Sequence, residues 1–421
     1  MSSERQRDPK HGTRLREANR EQLAWGPIDV DAQLPQDHPA RAIAAVIERL
    51  DLGKFYAPIE ARQGEPGAPA IDPKILLTLW VFATSEGESS AREIARLTEM
   101  HDAYRWICGG VSVNYHTLSD FRGAAGKHFN ELLTQVLALL MRNGLVDLTR
   151  VAQDGSRIRA SAGAGSFRKA ASLAELVEQA RAHVKVVTAD PDASARRAAA
   201  QKRAATDRLQ RLEAALEQVP DIVATKKKSG AKDATPRVST TDPDARVMKM
   251  GDGGFRPAYN VQFATTADAA RVVVGVAVIN RGSDMGQSTP MLDQIKQRTG
   301  VLPAELLADG GYAKHQAIDE AAERGVDVYA PLPKPREGQA DPHLPCEDDS
   351  PAVASWRQRM ATDEAKQIYK QRAATAETVN ADAKTHRGLD SMPVRGLDKV
   401  LGCALLVALT YDVLRLIVMS T

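Results

Sequence analysis

Near its carboxyl end the chain reads Tyr369-Lys-Gln-Arg372-Ala-Ala-Thr-Ala-Glu377, and Lys384 follows seven positions later. Tyr369, Arg372 and Glu377 fall at intervals of three and five, and Glu377 and Lys384 stand two helical turns apart, which on one helix sets a carboxylate and a cation on roughly one face. Two aspartates upstream have surroundings that suit cation binding. Asp154 ends the run Leu148-Thr-Arg-Val-Ala-Gln and precedes Gly155, and Asp309 ends Glu305-Leu-Leu-Ala and precedes Gly310-Gly311-Tyr312. Both runs have strand length, and the glycine after each lets the chain turn or a ligand approach the backbone. Taken singly, each Asp-Gly also suits a plain turn at a strand end. Together with Glu377 they make three carboxylates that a sheet and a helix could bring to one place. Hard oxygen donors of this kind suit magnesium or manganese. Without a cation the three would repel one another and some would take up protons.

Composition narrows the classes open to the chain. Lys and Arg number 56 against 54 Asp and Glu, a formal charge of +2 over 421 residues. A nucleic-acid site must therefore come from local segregation of charge, not from a uniformly basic surface. Such segregation exists in Arg5, Arg7, Lys10, Arg14, Arg16 and Arg20, and in Lys226-Lys227-Lys228. Cys108, Cys346 and Cys403 lie far apart with no Cys-x-x-Cys pair. That argues against a disulfide framework and a structural zinc site and for a reducing, cytoplasmic setting. The polar amino terminus has no signal-peptide core. The apolar run over 400–411 is too short to span a bilayer and is followed by Asp412 and Arg415. It predicts a buried helix and no membrane partner.

The elements that must position the three carboxylates follow from periodicity. Residues 1–36 read as a basic flexible arm. Residues 37–144 read as an all-α domain with helices over 40–50, 74–84, 90–99 and 127–143, the third opened by the capping box Ser90-Ala-Arg-Glu93. The segments from Ser90, from His101 and from Thr117, broken at Gly109-Gly110, form a helix-turn-helix-like pattern. Asn114, His116 and Arg122, with Tyr104, Arg105 and Trp106 nearby, are its candidate DNA contacts. The same pattern suits an ordinary helical bundle.

From residue 146 the pattern changes to strands over 146–153, 259–265 and 271–280. A helix over 288–298, a strand over 305–308, a helix over 314–324, a strand over 326–330 and one long helix over 354–384 follow. The run Val272-Val-Val-Gly-Val-Ala-Val-Ile279 is apolar on both faces, as in a covered strand. About a hundred residues separate the first two strands, too many for a simple loop. Leu173, Leu176, Val177, Ala180, Val184 and Val187, then Leu209, Leu212, Leu216 and Val219, predict a two-helix hairpin within an insertion over 166–237. A solvated arm and a dimerisation or DNA-gripping arm both fit it. The proline-rich stretch over 331–350 reads as a loop.

Asp154, Asp309 and Glu377 resemble the Asp-Asp-Glu triad of bacterial insertion-sequence transposases with a ribonuclease H-like catalytic domain. Tyr369, Arg372, Glu377 and Lys384 are similar to that group's Tyr-Arg-Glu-Lys signature, and Ala308-Asp309-Gly310-Gly311-Tyr312 is similar to its Asp-x-Gly-Tyr stretch. Asp252-Gly-Gly-Phe-Arg-Pro-Ala-Tyr-Asn-Val-Gln262 and Val394-Arg-Gly-Leu397 also resemble family segments, and the likeness runs from about residue 38 to the end. Four residues separate Arg372 and Glu377, against three in the commonest version, so Glu364 stands as the alternative third carboxylate.

The resemblance implies an α/β ribonuclease H-like catalytic domain over 145–421, carrying the helical insertion and preceded by the all-α domain. The order of predicted elements agrees with it. It implies metal-dependent strand cleavage and transfer with two Mg2+ or Mn2+ ions held by Asp154, Asp309 and Glu377. Tyr369, Arg372 and Lys384 would lie on DNA phosphates. Implied partners are double-stranded DNA, as element ends and target, and a second copy in a homodimer, in a cytoplasmic, nucleoid-associated setting. A nuclease of the same fold without strand transfer and a non-catalytic DNA-binding descendant are the alternatives.

Overall fold

Helix starts in the amino-terminal region coincide with side chains that can accept from free backbone N–H groups. In the computed structural model, which describes residues 29–61, 69–189, 195–228, 235–333, 335 and 340–420, His38 caps α1 (Pro39–Ile47) and Asp72 caps α3 (Pro73–Ser85), each followed by proline at the first helical position. Between them lies the short α2 (Gly53–Tyr56). Ser90 caps α4 (Ala91–Met100), with its Oγ accepting from Glu93 N at 3.3 Å. The Glu93 carboxylate turns instead to Arg96, so only half of the expected capping box forms. His101 caps α5 (Asp102–Cys108), which Gly109 ends in a left-handed conformation at φ 54°. Asn114 caps α6 (Tyr115–Ala125), and α7 (Phe129–Arg142) completes the helical region. Of the basic flexible arm expected over residues 1–36, residues 1–28 lie outside the described residues, and the remainder is not a free arm: Leu34 is buried and Arg41 of α1 donates to Asp31 O and Leu34 O at 2.7 and 3.0 Å.

The sheet begins with β1 (Arg150–Arg159), followed by β2 (Phe167–Lys169), α8 (Ala170–Ala189), α9 (Ala195–Glu217), α10 (Val219–Lys228) and β3 (Arg237–Ser239). β2 and β3 pair antiparallel and close the base of the helical insertion. Leu173, Val177, Ala180, Leu212 and Ala215 give α8 and α9 a core of their own. Arg181 bridges the two helices to Glu213 at 2.8 Å. The hairpin is thus the one its spacing predicts, with its Asp190-Pro191-Asp192 break outside the described residues.

Next come β4 (Arg246–Lys249), β5 (Phe255–Thr266), β6 (Val273–Ile279), α11 (Ser288–Thr299), β7 (Glu305–Leu307), α12 (His315–Glu323) and β8 (Asp327–Tyr329). β5 runs antiparallel between β1 on one side and β4 and β6 on the other. β1, β7 and β8 run parallel. The order across the sheet is therefore β6 and β4 on one edge, then β5, β1, β7 and β8. The result is a mixed α/β architecture with a helical amino-terminal region and a curled mixed sheet.

Two expectations need correction. The first strand starts at Arg150, not 146, and runs on to Arg159, so Asp154 lies in mid-strand opposite Phe263. The long helix expected over 354–384 is α13 (Pro351–Ala361), α14 (Asp363–Arg372), a π-helical turn (Ala373–Glu377) and α15 (Thr378–His386). Thr362 makes the first break: its backbone is extended and its Oγ1 accepts from Ala365 N at 3.1 Å, with Asp363 and Glu364 in the turn behind it. That is the signature of a helix start.

The last helix, α16 (Leu397–Ser420), packs against α1, α3, α6, α7 and β6, joining the helical region to the sheet. It is long and apolar enough to cross a bilayer, but 72% of its most apolar window is buried inside the protein. Two family-like segments meet at its start, where Tyr259 Oη and Gly396 N both donate to Asp242 Oδ1, at 2.6 and 3.2 Å. Cys108 and Cys403 are buried, Cys346 is exposed, and all three are free thiols.

Within α16, Asp412 is fully buried and accepts from Val273 N at 2.9 Å. Burial holds its carboxyl well above the usual carboxylate range. A raised folded-state pKa means that its stabilising contribution is complete below about 3.9, the ordinary Asp value, and is lost as pH rises through the raised pKa. Asp412→Asn keeps an acceptor for Val273 and does not titrate. The melting temperature of the variant minus that of the parent should therefore grow from pH 4 to pH 8. A flat difference across that range would rule out the burial penalty.

Candidate active site

Strand alternation turns Gln153 and Gly155 to one face of the sheet and Asp154 to the other. Gln153 Nε2 donates to Gln287 O beside α11, whereas Asp154 Oδ2 accepts from Asn380 Nδ2 of α15 at 3.0 Å. Gly155 is not a turn residue. A Cβ there would stand 2.3 Å from the Gln262 amide, 2.5 Å from Asp284 Oδ1 and 2.7 Å from Asn260 Oδ1. Glycine is required because three polar side chains fill the space a larger residue would occupy.

Burial holds the Asp154 carboxyl above the usual range, against the pull of Arg372, the Gly155 N–H and Asn380; the Asp309 charge pushes it further up. Arg372 Nη1 stands 3.4 Å from Asp154 Oδ1, a charge contact too skewed for a hydrogen bond. Its Nη2 donates to Glu377 Oε1 at 2.9 Å. One guanidinium therefore serves both carboxylates.

The π-helical turn explains how Glu377 reaches that position. In an α-helix the residue facing Arg372 one turn on would be 376, and Glu377 would point elsewhere. The turn over Ala373–Glu377 widens the helix by one residue, so that positions five apart share a face. Glu364, the alternative carboxylate, is exposed in the first turn of α14. Thirteen residues of helix, roughly 20 Å at 1.5 Å per residue, separate it from Glu377. Asp309 follows β7, whose Leu307 pairs with Ala152 of β1, and caps the short 3-10 turn Gly310–Tyr312 by accepting from Gly311 N at 2.6 Å. Asp154 and Asp309 thus sit at neighbouring parallel strands. Among the described residues, no three His, Cys, Asp or Glu side chains close in far enough to cage a cation.

The other candidates divide. Tyr369 lies under the Arg372 guanidinium at 5.8 Å. Lys384, on α15, is half-buried, and burial lowers its pKa against the charge of Asp154. Asn114 and His116 are exposed at the start of α6, where Asn114 Oδ1 is committed to Thr117 N at 3.0 Å. Arg122 is different. It is 8% exposed, stacks over Trp80 at 4.3 Å and donates to Ser89 O at 2.7 Å. Its place as a DNA contact is withdrawn, because its guanidinium is spent inside the helical core.

Sequence reasoning missed a fourth carboxylate, Asp284, whose Oδ1 accepts from both Asn260 Nδ2 and Gln262 Nε2 at 2.6 Å. Its only signal was its position between the β6 strand and the α11 helix, in Gly282-Ser-Asp284.

Comparison with known families gives two matches. Residues 28–124 match a "Transposase domain (DUF772)", a span that contains Asn114, His116 and Arg122. Residues 342–417 match a "Transposase DDE domain", a span that holds Tyr369, Arg372, Glu377 and Lys384 but neither aspartate. The two together support an insertion-sequence DDE transposase. No curated protein and no solved structure matches the chain.

Two outcomes test this geometry. Deleting exposed Ala374 should let Arg372 and Glu377 pair at the ordinary four-residue spacing, leaving the melting temperature equal to the parent's or above it. A large fall would show that the π turn is not a one-residue insertion. Arg122→Ala should cost about 2 kcal/mol in urea unfolding, the scale of a desolvated cation–π contact. It should leave the preference for specific over scrambled DNA unchanged in gel shifts. Lost preference with unchanged stability would return Arg122 to the DNA surface.

Proposed function

We propose that this DDE transposase binds the terminal inverted repeats of its own element, cleaves the element ends and joins the 3′-hydroxyls to target DNA. The observation that carries this reading is Arg372 held between Asp154 and Glu377, with Asp309 near enough that its charge acts on Asp154. A ribonuclease H-like reading of the sheet is supported by its order, with β5 and β6 antiparallel beside β1, and β7 and β8 parallel beyond it.

The donor set fits a hard divalent cation: carboxylate oxygens with no thiol or imidazole among them. Asp154, Asp309 and Glu377 would hold two magnesium or manganese ions, which when bound supply charge to the attacking and leaving oxygens of an in-line phosphoryl transfer. The side chains around them have their own tasks. Arg372 offsets the repulsion between the carboxylates, and its planar fork suits a phosphate flanking the cleaved bond. Asn380 fixes the Asp154 carboxylate in one orientation. Lys384, close enough to Asp154 to feel its charge, adds a second cation on the same side. Asn114 and His116 on α6 are proposed contacts to the element end, the α8–α9 hairpin a proposed arm for DNA or for a second copy. Two ends must be held together, which favours a homodimer.

Asp154→Asn, Asp309→Asn and Glu377→Gln should each abolish Mg2+-dependent cleavage of end-bearing DNA while retaining gel-shift binding, and Glu364→Gln should cut normally. An active Glu377→Gln with an inactive Glu364→Gln would reverse the choice of glutamate. Cleavage without joined products would favour a nuclease of this fold, and no cleavage by the parent a DNA-binding protein only.

A further inference from the structure

On the face of the sheet opposite Asp154, polar side chains are buried where apolar packing would be expected. Gln153, Asn260 and Gln262 are fully buried and Asp284 is 8% exposed. A carboxylate accepts and never donates when ionised, so Asp284 fixes the direction of every amide it touches. Gln262 must present its NH2 group to Asp284 Oδ1, which turns its carbonyl oxygen the other way. That oxygen receives the Tyr312 hydroxyl, with Gln153 Nε2 at 3.4 Å as a second donor. Tyr312 is 1% exposed and ends the short turn that Asp309 caps, its N–H donating to Asp309 O at 3.1 Å. Asp284 Oδ2 faces Arg157 Nη2 at 3.6 Å and would lie 3.9 Å from a Cβ on Gly311, the residue whose N–H Asp309 binds.

We infer that Asp284 is a positioning residue: through Gln262 and Tyr312 it locks the turn that aims the Asp309 carboxylate at the site. The lock is directional. With an amide in place of the carboxylate, Gln262 can flip, and Tyr312 then faces an NH2 group that cannot accept its proton. Gly155 belongs to the same device, because its missing Cβ is the space in which Asp284, Asn260 and Gln262 meet. The Ala258-Tyr-Asn-Val-Gln262 segment serves two ends of this arrangement. Tyr259 anchors the start of α16 through Asp242, while Asn260 and Gln262 on the other face hold Asp284.

This inference rests on the three-carboxylate reading of the site, and the experiment separates the two. Mn2+ binding to the DNA-free protein is measured by electron paramagnetic resonance, beside thermal melting. Asp284→Asn and Tyr312→Phe cut the chain at its two ends without touching Asp154, Asp309 or Glu377. Each should weaken Mn2+ binding about tenfold, the low end of losses from residues that orient metal ligands. In the cleavage assay, the Mg2+ concentration for half-maximal rate should rise by a similar factor. A lower melting temperature with unchanged Mn2+ affinity would overturn the inference, leaving Asp284 as packing alone. A parent that binds Mn2+ no better than Asp154→Asn would overturn the carboxylate reading, and this inference with it.

Discussion

Asp154 is a half-buried carboxylate in the middle of a sheet strand, and placing a negative charge there is costly unless something opposite stands close by. Arg372 is that counter-charge. Its guanidinium reaches Asp154 from a helix that also carries Glu377, so one cation ties β1 to the end of α14. The consequences spread along the chain. The helix must pass close to β1, must present a carboxylate five residues after the arginine, and must bring Asn380 round to the second oxygen of Asp154. A regular α-helix cannot meet the second demand, and the π turn at Ala373–Glu377 does.

The opposite face of the sheet solves a different problem. Gln153, Asn260, Gln262 and Asp284 are polar and buried, and each unpaired donor or acceptor there would cost about 1–3 kcal/mol. They are arranged so that most donors find acceptors, with the acidic residue as the common acceptor and the tyrosine hydroxyl as the last donor in line. Such a network is directional where an apolar core is not, and directionality is useful beneath a residue whose carboxylate must point one way.

The helical region and the sheet are not independent bodies. α16 lies between them, and its one buried carboxylate, Asp412, accepts from the backbone of β6. Arg298 on α11 reaches back from the sheet side, donating to Val274 O at 2.6 Å and to Asn130 of α7. The family matches fall on the two ends of the chain, and α16 carries the carboxyl-terminal match into the helices of the amino-terminal one.

Local signals were legible in the sequence because they act over a few residues. Caps, glycine stops and 3.6-residue periodicity placed most helices, and the helical spacing of apolar residues over Leu173 to Val187 and Leu209 to Val219 predicted the α8–α9 hairpin. Apolar runs between helices marked β1, β5, β6, β7 and β8 along the chain, whereas β2, β3 and β4, three or four residues each, leave no periodic signal. Three features came only from the fold. Whether the glycine after Asp154 marks a turn or a close approach depends on side chains more than a hundred residues away. Whether Arg122 faces DNA or Trp80 depends on how α6 rotates against α3, which one short helix does not specify. Asp284 was invisible because it lies in the loop after β6, while its neighbours Asn260 and Gln262 lie on β5, more than twenty residues earlier. Its role arises from antiparallel pairing, which sets Gln262 opposite Gly155 and turns both to the same face. Sequence spacing determines which face of its own element a residue occupies, and only the packing of elements decides what that face meets.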